Sequence, residues 1–160
     1  MVTSRDWIIE SGLIELVGKD EVVAQNQYSA GTAIPVSVSA AGGIIKSIVL
    51  SQTELDAGAI LSVAGVLVFF TADPVCAAGD TAVTSTAWGK SLGTVTVAAG
   101  DWVTDANGGA ALKATLDIPF PRLANLWCVF KLTSATSINS GATDDEVLSI
   151  KIYYENMRNQ

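Results

Sequence analysis

The chain contains no histidine. Histidine is the commonest general base near neutral pH and the commonest metal ligand. Its absence excludes Ser–His and Cys–His nucleophilic sites and most zinc sites. Charge is also scarce: only 16% of the 160 residues are charged, and nine basic residues face sixteen acidic ones, for a net charge of −7. No basic cluster occurs, which speaks against a groove for nucleic acid. Cysteine is limited to Cys76 and Cys128, too few for a disulfide-dependent scaffold. Cys128 sits in an apolar run and reads as a small buried hydrophobe; Cys76 follows Asp73-Pro74 in a loop. A bond between the two is left open, and synthesis in a cytoplasm is the simpler reading.

Long hydrophobic runs are missing too. The most apolar of the weakly charged stretches, residues 57–70, is too short for a bilayer and is broken by Gly58, Ser62 and Gly65. Asp6, Glu10 and Glu15 interrupt the N-terminal hydrophobics, so no membrane segment or leader is expected there. Yet 49% of the residues are apolar and the mean hydropathy is +0.41. An apolar chain with few charges has a surface of Ser, Thr, Gly and Ala that is itself partly apolar, and such surfaces belong in assemblies.

The length fits one domain, large enough to hide about 70% of its unfolded surface. Its dominant period is two. Ile34, Val36 and Val38 alternate with Pro35, Ser37 and Ser39; Val95 and Val97 alternate with Thr94 and Thr96; Leu148, Ile150, Ile152 and Tyr154 alternate with Ser149, Lys151 and Tyr153. Each pattern places an apolar row on one face of a strand. Residues 44–50, 66–70 and 126–132 are denser runs, rich in β-branched and aromatic residues, and predict more fully buried strands. Pro35 predicts an edge strand or a strand start. Residues 112–116 are a weaker strand, ending before Pro119 and Pro121, and Asp117 with the stretch after it reads as a surface connection. Glycine, asparagine and proline clusters punctuate these runs, as at Gly42-Gly43 and Asn139-Ser140-Gly141. Residues 53–63 predict a helical turn or a crossing loop, and residues 82–90 a polar stretch anchored by Trp88. Together these features predict an all-β fold, an antiparallel β-sandwich or jelly roll.

Sites of chemistry are few. Asp144, Asp145 and Glu146 form the one acidic run; it lacks the alternating ligands and glycine of a calcium loop, and reads as a solvated turn, with a cation site as the alternative. Asp101 and Asp105 flank Trp102, either as a sugar-binding loop or with Trp102 closing the end of the sandwich. Gly42-Gly43 and Gly108-Gly109 lack the Lys-Ser/Thr of a phosphate loop. Trp7, Trp88, Trp102 and Trp127 read as core plugs or subunit-contact anchors. No carboxylate pair is marked out for glycoside hydrolysis. No enzyme activity, metal or cofactor is expected.

The order of segments resembles that of small tailed-bacteriophage proteins that coat or cement the capsid. The likeness runs from about Tyr28 to Glu155. It takes in Tyr28-Ser29-Ala30-Gly31, Gly42-Gly43-Ile44-Ile45-Lys46, Leu67-Val68-Phe69-Phe70 leading to Asp73-Pro74, Trp88-Gly89-Lys90, Ala99-Gly100-Asp101-Trp102, Asp117-Ile118-Pro119-Phe120 and Leu126-Trp127-Cys128. The resemblance implies a decoration domain over residues 28–160, with residues 1–27 as an N-terminal arm or first strand. It implies that the partners are the major capsid protein and further copies of this chain, as a homotrimer at threefold or quasi-threefold positions. It places the protein on the outer surface of the virion, after synthesis in the host cytoplasm. Trp7, Ile9 and Trp102 are the candidate subunit or capsid contacts. A tail or fibre component and a carbohydrate-binding sandwich are the alternatives.

Overall fold

A computed structural model describes residues 8–54, 62–104, 109–139 and 145–157. Among these residues ten strands form two antiparallel sheets. They are β1 (Ile9–Glu10), β2 (Ile14–Val17), β3 (Thr32–Pro35), β4 (Gly43–Glu54), β5 (Gly65–Phe70), β6 (Ser91–Val97), β7 (Val103–Thr104), β8 (Gly109–Phe120), β9 (Asn125–Leu132) and β10 (Glu146–Asn156). In the larger sheet β1 and β2 lie along one edge of β10, followed by β4, β8 and β7; the smaller sheet runs β3-β9-β5-β6.

With the two-residue strands β1 and β7 set aside, eight strands remain, ordered 2-10-4-8 and 3-9-5-6. The chain changes sheet at every connection between them except β5 to β6. That order is a jelly roll. The period-two rows supply its core: Ile45, Ile48 and Leu50 of β4, Leu126, Cys128 and Phe130 of β9, and Leu148, Ile150 and Ile152 of β10 are buried in one cluster. Phe120 and Tyr154 meet edge to face, with ring centroids 6.0 Å apart. The Tyr154 hydroxyl accepts a hydrogen bond from the Ser37 amide at 2.9 Å, which satisfies the one polar atom its burial brings inside.

Two glycines are required by close approach. A Cβ on Gly65 would stand 2.2 Å from Phe130 Cζ, and one on Gly42, at φ +88°, would stand 2.2 Å from the Phe120 carbonyl oxygen. Gly65 lets β5 lie against the Phe130 ring. Gly42 closes the turn into β4 in a conformation that glycine adopts without strain.

Several expectations are corrected by the structure. Strand β8 does not stop before Pro119 but runs through it to Phe120, so Asp117 lies in a strand and not in a connection. The reason is that beyond Ala111 this strand is paired among the described residues on one side alone, by β4, and a one-sided strand tolerates a residue without an N–H. Strand β4 is not buried on both faces: Ile44 and Val49 are only half-buried. Residues 85–88 form a single helical turn, α1 (Ser85–Trp88), capped by the Thr84 hydroxyl, which accepts from the Ala87 amide. Strand β3, holding Pro35, is an edge strand as expected. Both cysteines are buried free thiols.

Residues 9–17 add to the edge of the larger sheet of their own chain. Ile9 pairs with Tyr154, and Val17 with Leu148. Leu16 and Val17 reach the core between the sheets.

Candidate functional site

The outer faces of the two sheets differ. Residues 71–90 fold back over the smaller sheet, where Cys76, Val83 and Ala87 pack on Val68, Phe70 and Val129. Trp88 stands beside Phe70, with ring centroids 5.9 Å apart. Tyr28 fastens the cover through its backbone, its amide donating to Asp80 O and its carbonyl accepting from Gly79 N. Lys131 lies over the Tyr28 ring at 5.4 Å. Burial pushes the Cys76 thiol up to about 11, and Asp80 beside it adds to the shift. Burial alone pushes Cys128 up. Both thiols stay neutral at physiological pH and make poor nucleophiles.

The larger sheet has no such cover among the described residues. Its outer face is lined by alternate residues of β4, β8 and β10, and two of its lysines, Lys46 and Lys151, are paired with carboxylates of the same sheet. The ladder is bulged at Lys46, and a bulge re-aims the side chain it carries. Here it sets the Lys46 ammonium between Asp117 and Glu155. The hydrogen bond that Lys46 donates to Asp117 holds the Lys46 pKa above its ordinary value. Lys151 pairs with Glu10 at 2.7 Å, which raises its pKa in the same way. Lys113 stands over the Tyr153 ring at 6.0 Å. One corner of this face holds an open recess of about 360 Å³ between Ser51, Thr53, Val103 and Ala111. It brings together hydroxyls and methyl groups and no acid–base pair. No group of three His, Cys, Asp or Glu side chains is placed to hold a metal among the described residues.

The predicted contact residues are not brought together. Ile9 is half-buried at the β1 edge, whereas Trp102 precedes β7 at the opposite edge of the same sheet. Trp102 is 7% exposed and packs in the core. Its indole Nε1 donates to the Val63 carbonyl at 2.8 Å, so its ring plugs the sandwich and offers no face to a sugar. Asp101 accepts from the Ala98 amide at 2.8 Å, which closes a 3-10 turn over Ala99–Asp101. Trp7, Asp105 and Asp144 lie outside the described residues.

Glu146 departs from the solvated-turn reading. It is 1% exposed and begins β10 on the same side as Leu148 and Ile150. Its carboxylate accepts from Gln52 Nε2 at 3.1 Å. Next to it Asn139, at φ +54°, is a junction. Its side-chain amide donates to Gly18 O, Glu21 O and Glu146 O at 2.9–3.0 Å, and its oxygen accepts from Glu146 N at 2.7 Å. One side chain thus ties the segment after β2 to the start of β10. Sequence reasoning read Asn139 only as a turn residue. The available signal was the strand parity that puts Glu146 in line with Leu148.

No protein-family profile and no curated protein matches this sequence. Among solved structures, a chain of the Triatoma virus empty capsid aligns with a TM-score of 0.36 and 10% identity, over 99% of this chain and 73% of that one. A chain of deformed wing virus, a honeybee pathogen, aligns with a TM-score of 0.32 and 9% identity, over 97% of this chain and 47% of that one. This chain therefore spans about half of the deformed wing virus chain. These likenesses are too distant to add to the strand order, which stands on its own.

Proposed function

We propose that this protein is a non-enzymatic virion component that binds the outer surface of an assembled phage capsid and stabilises the shell, as a homotrimer at threefold or quasi-threefold positions. The observation that carries the reading is the contrast between the smaller sheet, whose strands β5 and β9 are covered on both faces, and the larger sheet, whose outer face is uncovered among the described residues and carries the pairs Lys46–Asp117 and Lys151–Glu10. An uncovered sheet face suits docking on a lattice. The jelly roll alone does not choose a function, because one fold hosts many. The segment order, the histidine-free sequence and the low charge favour a structural role. A protein that binds the assembled lattice and not its free subunits stabilises the assembly by mass action.

The carbohydrate-binding alternative rested on Trp102, and a buried ring with its Nε1 engaged at Val63 leaves that reading without its main contact. The test is cryo-electron microscopy of the source virus. Density for this chain at threefold positions on the outer shell is the expected result; density confined to the tail or fibres would move the protein there. Light scattering of the purified chain should give about three times its 16.6 kDa mass, and a monodisperse monomer would remove the trimer.

A further inference from the structure

Strand β8 has an open edge with defined limits. On its outer side β7 pairs with it at Ala110 and Ala111 and goes no further. At its far end Pro119 has no N–H to offer another strand. Residues 112–118 lie between these limits, and no described strand pairs with them except β4 on the inner side. Strand β6 of the other sheet approaches at Ile118, where a Cβ on Gly93 would lie 3.4 Å from Ile118 Cδ1, but forms no ladder with β8. Ala114, Leu116 and Ile118 remain only partly buried along this edge.

We propose that this edge pairs antiparallel with the same edge of a second copy of the chain, about a twofold axis at Thr115. The free span of residues 112–118 is centred on Thr115, so its two limits fix the register. That register sets Lys113 of one copy opposite Asp117 of the other, twice per pair. Lys113, Thr115 and Asp117 are all exposed on the outer face of the sheet. Across the joint the charge order becomes Glu155, Lys46, Asp117 and then the second copy's Lys113, with signs alternating throughout. Opposite charges facing each other across an antiparallel pair are favourable, and like charges are not. Lysine and proline commonly blunt a solitary edge. Here the lysine faces an aspartate when the strand meets its own copy, and the proline falls where the free span ends. A contact of this type is self-complementary and closes on itself. It uses a different edge from residues 9–17 and does not depend on where in the virion the protein sits.

The test is covalent capture in the purified full chain. Directly opposite residues of an antiparallel pair have Cβ atoms about 4.5–5.5 Å apart, close to the span a disulfide bridges. Thr115→Cys should yield a two-chain species on a non-reducing denaturing gel under mild oxidation. The native thiols are buried, so the unsubstituted protein serves as the blank. Ala111→Cys, whose edge is taken by Val103 of its own chain, should not link. In the Thr115→Cys background, Lys113→Asp or Asp117→Lys alone should lower the linked fraction about tenfold, because each sets like charges opposite one another. Mixing the two variants should restore it, because the mixed pair is again complementary. A Thr115→Cys protein that stays single-chain, equal linking through Ala111→Cys, or no recovery on mixing would each overturn the proposal. Counting chains per covalent link keeps the result readable whether or not the protein is also a trimer.

Discussion

The two sheets of this jelly roll are built from the same kinds of strand but meet different surroundings. Strands β5 and β9 of the smaller sheet are buried on both faces, by the core on one side and residues 71–90 on the other. Strands β8 and β10 of the larger sheet bury one face and leave the other open. Sequence records the difference: β5 reads Gly-Val-Leu-Val-Phe-Phe, whereas β8 alternates small or apolar residues with Lys113, Thr115 and Asp117. A strand covered twice needs apolar residues at every position, and a strand covered once needs them at every second position. One sheet thus has strands packed on both sides, and the other leaves one side uncovered among the described residues.

The strongest way to break this contrast is to truncate a large side chain under the cover. Phe70 is fully buried on the outer side of the smaller sheet, and Phe70→Ala should cost about 3–5 kcal/mol. Tyr153→Ala, on the open face of the larger sheet, should cost about 1 kcal/mol or less. Urea denaturation of both variants checks the difference, and equal losses would mean that the open face is sealed as well. Next in size is Asn139→Ala, which removes one hydrogen bond each from the Gly18, Glu21 and Glu146 carbonyls and from the Glu146 amide. It should cost about 2–3 kcal/mol in the same assay, since several hydrogen bonds at a buried junction are lost together. Thr84→Ala removes the cap of the helical turn in the cover and should cost about 1 kcal/mol. Hydrogen exchange should show that loss in residues 76–88 and not in β8 or β10.

The smallest effect at neutral pH comes from Cys76→Ala, and alkaline solution brings it out. The folded Cys76 thiol is pushed up to about 11 from an unfolded value of 9.0. The unfolded chain therefore loses its proton first as pH rises. The stabilisation is complete below pH 9 and is lost progressively toward pH 11. Denaturation midpoints measured across that range should fall less steeply in Cys76→Ala than in the unsubstituted protein. An unchanged slope would mean that the thiol is not desolvated by the cover.

Much of this fold was legible in the sequence because period two is a local signal. The final strand was placed by it, residues 66–70 and 126–132 were placed by their density of β-branched and aromatic residues, and Pro35 marked an edge. What was not legible depended on pairing across long separations. Pro119 was read as a stop because proline costs a ladder bond only where a strand is paired on both sides, and one sequence does not say which strands are. Glu146 was read as solvent-exposed from its acidic neighbours, although its parity with Leu148 placed it inside. Trp102 carried two readings, and only the fold decides between a plug and a ligand face, because Val63, the acceptor for its indole, is 39 residues away. The open edge of β8 was out of reach for the same reason: its limits are set by β7 on one side and by a proline on the other.

Strand β10 ends the described chain, yet it lies inside the larger sheet, with β1 and β2 on one side and β4 on the other. During synthesis neither neighbour can find its partner until residues 146–156 have left the ribosome. At about 5–20 residues per second that wait lasts many seconds, and closing pairs so far apart in sequence is itself slow. Over that interval β2 and β4 carry bare edges open to other nascent chains. Yield in the host should therefore depend on how crowded these chains are while they are made, and slower expression at lower temperature should recover more folded protein.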